Sequence, residues 1–172
     1  AAAASGAAAV SGAGAGRSGA KGPPGGSPAP TSLFRLLSRS LEEAGVRVVH
    51  MLVRGEPTTM VADDGARQAL ASGCDLVIAL GGGSVLDAAK AVSGLMTNGG
   101  EVLDYLEIVG RGRPIENAAA PCIAIPTTAG TGSEVTRNAV LTEPRAMIKA
   151  SMRSPLLLPA VALVDPDLTR SL

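Results

Sequence analysis

The sequence predicts an α/β fold built on a right-handed parallel sheet, and three observations predict it. From residue 31 onward, short apolar runs bounded by turn residues alternate with stretches of helical periodicity. The run 76–80 is continuously apolar, the pattern of a strand covered on both faces. Two of the strands are followed by loops rich in Gly and hydroxyl residues, at the carboxyl ends where open α/β sheets bind ligands.

Each element has its own warrant. Residues 1–30 are almost entirely Ala, Gly, Ser and Pro, with Arg17 and Lys21 the charged exceptions. Such composition buries too little apolar surface to offset chain entropy, so a disordered low-complexity tail is expected there. Residues 31–172 then form one domain. A helix is expected over 32–44, where Leu33, Leu36, Leu37 and Leu41 recur at helical spacing, Thr31 or Ser32 can cap the start and Gly45 can end it. The β-branched run 46–53 reads as a strand, stopped by residues 54–57. A helix over 59–72 follows, weakened by Gly65. After strand 76–80 comes a helix over 84–97, with Val85, Ala88 or Ala89, Val92 and Leu95 on one face. A strand at 122–125, a hairpin around Glu143 and Pro144 and a last strand at 161–164 complete the order.

Composition narrows the function classes. Fifteen basic against 15 acidic residues leave no electrostatic footprint for nucleic acid or an anionic membrane. Trp is absent, and Phe34 and Tyr105 are too few for a base-stacking surface. No apolar run approaches the roughly 18 residues that a membrane span needs, so a soluble protein is expected. Cys74 and Cys122 lack metal-ligand spacing and read as buried small hydrophobes. No acidic residue precedes Glu42, whereas Arg17, Lys21, Arg35 and Arg39 do. That bias fits an organellar (mitochondrial or plastid) transit peptide over residues 1–40, with a flexible tail on a cytoplasmic protein as the other reading.

Chemistry is concentrated in two loops. Gly81, Gly82, Gly83 and Ser84 join strand 76–80 to the next helix. Glycines uncover backbone N–H groups and permit positive φ, and the helix start adds its dipole, so a phosphate could sit there. Ser84 and Asp87 make a capping-box-like S-x-x-D. A ligand-free strand-to-helix turn is the bland alternative. The G-x-G-x-x-G fingerprint fails at Leu86, and the P-loop pattern fails because Lys90 lies well inside the helix, where a solvated lysine is expected. The second loop runs Pro126-Thr127-Thr128-Ala129-Gly130-Thr131-Gly132-Ser133-Glu134, directly after strand 122–125. Its hydroxyls can hydrogen-bond phosphate and ribose oxygens without adding charge, although ordinary turns use the same residues.

At this point the sequence resembles a known family. The run Gly81-Gly82-Gly83-Ser84-Val85-Leu86-Asp87-Ala88-Ala89-Lys90 is similar to the GGGS-x-x-D-x-x-K signature of the iron-containing (group III) alcohol dehydrogenases. Ile125 through Thr136 is similar to their IPTTAGTGSEVT signature, and Lys149, Ser154-Pro155 and Val164-Asp165-Pro166-Asp167-Leu168-Thr169 continue the same order. The resemblance implies a Rossmann-like dinucleotide-binding domain, dehydroquinate synthase-like in type, followed by an all-helical metal domain. It implies NAD or NADP as cofactor, and a small alcohol or carbonyl as substrate of the full-length enzyme. Gly81, Gly82, Gly83 and Ser84 would hold the pyrophosphate. Thr127, Thr128 and Thr131 would line the adenosine and ribose side with Thr136 nearby. Lys149 would bond a ribose hydroxyl, and Leu168 would border the adenine or ribose pocket. A homo-oligomer is an open option.

The resemblance also marks what is expected to be missing. Family members bind Fe²⁺ or Zn²⁺ through an Asp and three His beyond the DP-x-LT motif, but this chain ends at Leu172 and has one histidine, His50. His50 is expected to be structural or solvent-facing, Asp165 a turn residue, and the metal-holding half absent from the chain. The early-strand Asp that contacts the nucleotide in the family has no counterpart, since residues 1–30 contain no Asp. The implied function is an NAD(P)- and metal-dependent alcohol dehydrogenase or reductase, represented by its nucleotide-binding portion. The maleylacetate reductase-like and hydroxyacid–oxoacid transhydrogenase-like branches fall within it. A non-catalytic nucleotide-binding module or degenerate pseudoenzyme is the alternative from another class. A dehydroquinate synthase-like phosphate-binding enzyme is a third, less well served by the threonine-rich run.

Overall fold

A computed structural model of the chain describes residues 6–12 and 32–169. Strand β1 (Gly6–Gly12) is followed by helix α1 (Ser32–Glu43), β2 (Arg47–Val53), α2 (Thr59–Ala71), β3 (Leu76–Gly81) and α3 (Gly83–Asn98). Next come α4 (Val102–Tyr105), β4 (Cys122–Pro126), the hairpin β5 (Asn138–Glu143) and β6 (Ile148–Arg153), and β7 (Val161–Ala162). The main sheet is parallel throughout, in the order β2-β1-β3-β4-β7. The expected α/β class, with its parallel sheet and helices, is therefore the observed one. Among the described residues no helix is long and apolar enough to cross a membrane.

One expectation is overturned. Residues 6–12, assigned by composition to a disordered tail, form a central strand paired in parallel with β2 from Gly6↔Arg47 to Gly12↔Val53 and with β3 from Ala7↔Leu76 to Ser11↔Leu80. The physical reason is that backbone pairing on both edges satisfies a strand's N–H and C=O groups whatever its side chains are. A composition argument cannot see that gain. The rest of the expected tail, residues 1–5 and 13–30, lies outside the described residues.

Period-two alternation sends successive strand residues to opposite faces. Val77, Ala79, Cys122 and Ala124 join the core under α2 and α3. Ile78, Leu80 and Ile125 join Phe34 of α1 on the other face. Gly65, read as a weakness in α2, is instead a contact point. A Cβ there would stand 3.0 Å from Val92 Cγ2 and would collide with the Met51 thioether, so a side chain on residue 65 would push α2 off both α3 and β2. The hairpin packs over α3, and its Ala139, Leu141, Ala150 and Met152 complete that core. The crossing from β1 to β2 on one side and β3 on the other makes a topological switch point at the strands' carboxyl ends, where Gly12 and Gly81 terminate their strands.

Candidate cofactor site

Beside that switch point the chain turns from β3 into α3 through Gly82, the residue preceding the helix. Gly82 has φ −77° and ψ −177°, and none of Gly81, Gly82 and Gly83 has positive φ. The glycines are needed for close approach, not for left-handed backbone. A Cβ on Gly82 would lie 3.2 Å from Thr128 Oγ1, and one on Gly83 would lie 3.0 Å from Thr131 Cγ2. The two loops therefore touch, residue on residue. Thr127 N donates to Gly81 O at 3.0 Å, extending the β3–β4 pairing into the loop.

The start of α3 is open. No side chain caps it, and the first ladder bonds run from Val85 N and Leu86 N to Gly82 O, at 2.9 and 3.1 Å. The amides of Gly83 and Ser84 precede that ladder and, with the positive end of the helix dipole, form a place for an anionic group. The expected capping box is not formed. Asp87 reaches away from the helix start, where its Oδ1 accepts from Ser133 Oγ at 2.5 Å and its Oδ2 from Val140 N at 3.2 Å. The side-chain oxygen of Thr128 is buried and has no hydrogen-bond partner among the described residues. An orphaned hydroxyl beside uncapped amides fits a polar ligand such as a nucleotide.

The remaining expected contacts are placed less uniformly. Thr136 Oγ1 accepts from Lys90 Nζ at 3.2 Å and donates to Ser133 O at 3.4 Å, so its hydroxyl is engaged within the protein. Lys149 stands exposed on β6 and pairs with Glu56 at 2.8 Å, and its described ion pair is to neither loop. Leu168, in the turn Pro166–Thr169, packs on the α1 side with Phe34, Leu80 and Ile125. An open cavity of about 480 Å³, lined by Leu103, Asp104 and Arg111 among others, lies away from these loops. There the backbone amide of Glu101 holds the Asp104 carboxyl below its ordinary range, helped by Arg111 and Arg113.

Lys90 is the residue that sequence reasoning misplaced. It is 0% exposed, not solvated, and its Nζ meets Asp87 Oδ1 at 2.9 Å, Ser133 O at 3.0 Å and Asn138 O at 2.5 Å. Apart from Asp87, three residues away on the same helix, its partners lie 43 to 48 residues away in sequence, so helical periodicity could not reveal them. Metal chemistry, by contrast, finds no seat. Among the described residues no three His, Cys, Asp or Glu side chains cluster as a metal site. His50 is exposed on β2 and stacks edge-on against Phe34, with ring centroids 4.9 Å apart at 70°. Cys74 and Cys122 are buried free thiols, and burial pushes Cys122 up to about 12.

The family model of the iron-containing alcohol dehydrogenases matches residues 25–166. The chain belongs to the iron-containing alcohol dehydrogenase family. It is 40% identical over 130 residues to choline dehydrogenase of Bacillus subtilis (strain 168), covering 75% of this chain and 32% of that protein. It is 34% identical over 139 residues to the NAD-dependent methanol dehydrogenase of Bacillus methanolicus, covering 80% and 35%. Its fold matches the crystal structure of an archaeal halo-thermophilic Red Sea brine pool alcohol dehydrogenase with a TM-score of 0.80 and 31% identity, over 98% of this chain and 41% of that one. The chain thus spans about a third of the length of the curated family members it matches.

Proposed function

We propose that this chain is the nucleotide-holding portion of an NAD(P)-dependent, metal-dependent alcohol dehydrogenase or reductase. One observation carries the reading: the uncapped start of α3 at Gly82, Gly83 and Ser84, with Thr128 and Thr131 lying directly over the glycines at the carboxyl end of the parallel sheet. The NAD dependence of the Bacillus methanolicus relative supports the choice of ligand, and NAD over NADP is the working assignment.

The residues divide the work by chemistry. Gly83 and Ser84 amides would hold the pyrophosphate without a cationic side chain, using the helix dipole in place of one. Thr127, Thr128 and Thr131 would supply hydroxyls to the ribose and adenosine side. Lys149 would exchange its exposed partner Glu56 for a ribose hydroxyl, a small cost because surface ion pairs contribute only about 0–1 kcal/mol. Leu168 would give the pocket an apolar wall. Thr136, already bonded to Lys90, would support the loop. When bound, the nicotinamide ring accepts or returns a hydride. The family's iron does not fit this chain's described residues, and we assign its ligands to sequence outside the chain.

The test is a titration of the 172-residue chain with NADH, followed by nicotinamide fluorescence and competed with ADP-ribose. Weak, saturable, competable binding is expected, with no alcohol oxidation on adding Fe²⁺ or Zn²⁺. Absence of saturable binding would falsify the nucleotide reading, and turnover would overturn the assignment of the metal ligands.

A further inference from the structure

A buried ammonium is costly to desolvate unless every donor finds an acceptor, and Lys90 meets that condition completely. Asp87 Oδ1, Ser133 O, Thr136 Oγ1 and Asn138 O all lie within 3.2 Å of its Nζ. Asp87 is itself bound to Ser133 Oγ and Val140 N. Both side chains stand three residues apart on one side of α3, one and two turns beyond the amides assigned to the pyrophosphate. Their partners lie in the threonine loop and in β5, the strand paired with the one that carries Lys149.

The fastening is selective. From Thr127 to Thr136, the described hydrogen bonds linking this loop to the rest of the chain reach Gly81 at one end and Asp87 and Lys90 at the other. Between those points the loop has one short turn, Ser133–Val135, and no strand or α-helix. An apolar pair of similar volume in place of both Asp87 and Lys90 would fill the space under the loop with little loss of stability, whereas removing Lys90 alone strands the largely buried carboxylate. Such a pair would not hold the Ser133 and Asn138 carbonyls at a set distance from α3.

We propose that the buried Asp87–Lys90 pair is a positioning element that locks the threonine loop and the β5–β6 hairpin in register with the amino end of α3, and so sets affinity for the nucleotide without touching it. This rests on the nucleotide reading above and deepens it. The test compares Lys90→Met with Leu95→Ala, a packing change on the same helix, in the whole chain. NADH titration and amide hydrogen exchange are read together. For Lys90→Met, exchange should accelerate at residues 128–140 while β3 and α2 keep their protection. The Kd for NADH should rise roughly tenfold to a hundredfold, the scale on which misplaced binding groups lose effect. Leu95→Ala should lower the melting temperature and leave the Kd, measured well below that temperature, within about twofold. Asp87→Asn keeps the side-chain shape and removes the charge, and it should shift both readouts the same way to a smaller extent. It also carries the test if Lys90→Met does not fold. Folded variants with unchanged exchange at 128–140 overturn the proposal. So does an unchanged Kd. If the parent chain itself does not bind NADH, the nucleotide reading fails, and the exchange comparison still decides whether the pair positions the loop.

Discussion

On one face of the sheet, α2, α3 and the β5–β6 hairpin close over Val77, Ala79 and Ala124, while on the other α1 and the turn at Leu168 cover Ile78, Leu80 and Ile125. The first face is deep. Leu86, Val92, Leu95, Leu141 and Met152 are all essentially inaccessible, and a paired lysine is buried among them. The second face is shallow among the described residues, with Phe34 as its one fully buried helix side chain of any size and half-buried Leu37, Leu41 and Leu168 around it. The side-chain anchors of the threonine loop, Asp87 and Lys90, lie on the deep side. The contrast teaches that the loops proposed to hold the nucleotide are fastened to the deeper part of the fold, while α1 rests on a thinner contact, expected to open first.

The largest expected effect breaks that comparison directly. Leu95→Ala on the deep face should cost about 2–5 kcal/mol, because a close-packed surround cannot collapse into the space left behind. Phe34→Ala on the shallow face should cost less than its size suggests, about 3 kcal/mol, because the half-buried Leu37, Leu41 and Leu168 around it can relax into the space. Denaturant melts give the two values. Hydrogen exchange should show α1 opening below the global transition in Phe34→Ala and nowhere else. Equal costs with no separate opening of α1 would show that the two faces form one cooperative unit after all.

A change at the loop contact sharpens the comparison from the functional side. Gly83→Val places a branched side chain where a Cβ already stands 3.0 Å from Thr131 Cγ2 and 3.2 Å from Thr131 Cβ. Either the threonine loop shifts outward or α3 starts late. The loop is tied to Lys90 and Asp87, so the yielding part should be its tip at residues 128–131. NADH affinity should fall about tenfold, equivalent to roughly 1.4 kcal/mol, with little change in melting temperature. Undiminished affinity would mean that the nucleotide does not use this contact.

How much of this was legible in the sequence follows the distance over which each signal acts. The β3–α3–β4 core was readable because a continuous apolar strand, a glycine turn and a helical repeat are all local. Observed bounds of Leu76–Gly81 and Gly83–Asn98 differ from the expected 76–80 and 84–97 by one residue at most. Strand β1 was not readable, because Ala and Gly carry no strand preference and the strand is made by its neighbours. Lys90 failed for the same reason: a lysine on a helix looks solvated until a segment more than 40 residues away folds over it. Asp87 mimicked a local cap while its true partners, Ser133 and Val140, lie in other elements. The placement of both loops at one edge of the parallel sheet was legible, whereas the contacts of Gly82 with Thr128 and of Gly83 with Thr131 have no signature in the sequence. The role given to Lys149 rests on resemblance alone, and its observed partner, Glu56, has no signature in the sequence.

The smallest effect near neutral pH is electrostatic and again separates the faces, since both cysteines belong to the deep core. Burial raises Cys122 from an ordinary 9.0 to about 12 in the folded state, against an opposing effect of Lys90, and burial raises Cys74 in the same direction. A raised thiol means that the folded protein holds its proton more tightly than the unfolded chain does. Below pH 9.0 both states are protonated at Cys122 and the residue adds no pH dependence. Above it the unfolded chain ionises first, so folding stability should fall with rising pH by about 1.4 kcal/mol per unit until the folded value is reached. Denaturant melts between pH 8 and 11 would measure the slope, roughly one proton's worth for Cys122 alone. Cys122→Ala should lessen it, leaving the share of Cys74, whatever its effect on stability at neutral pH. Phe34→Ala, on the other face, should leave the slope as it is. A Cys122→Ala variant with the parent's alkaline slope would place the titrating group elsewhere and remove the thiol from the deep core's account of stability.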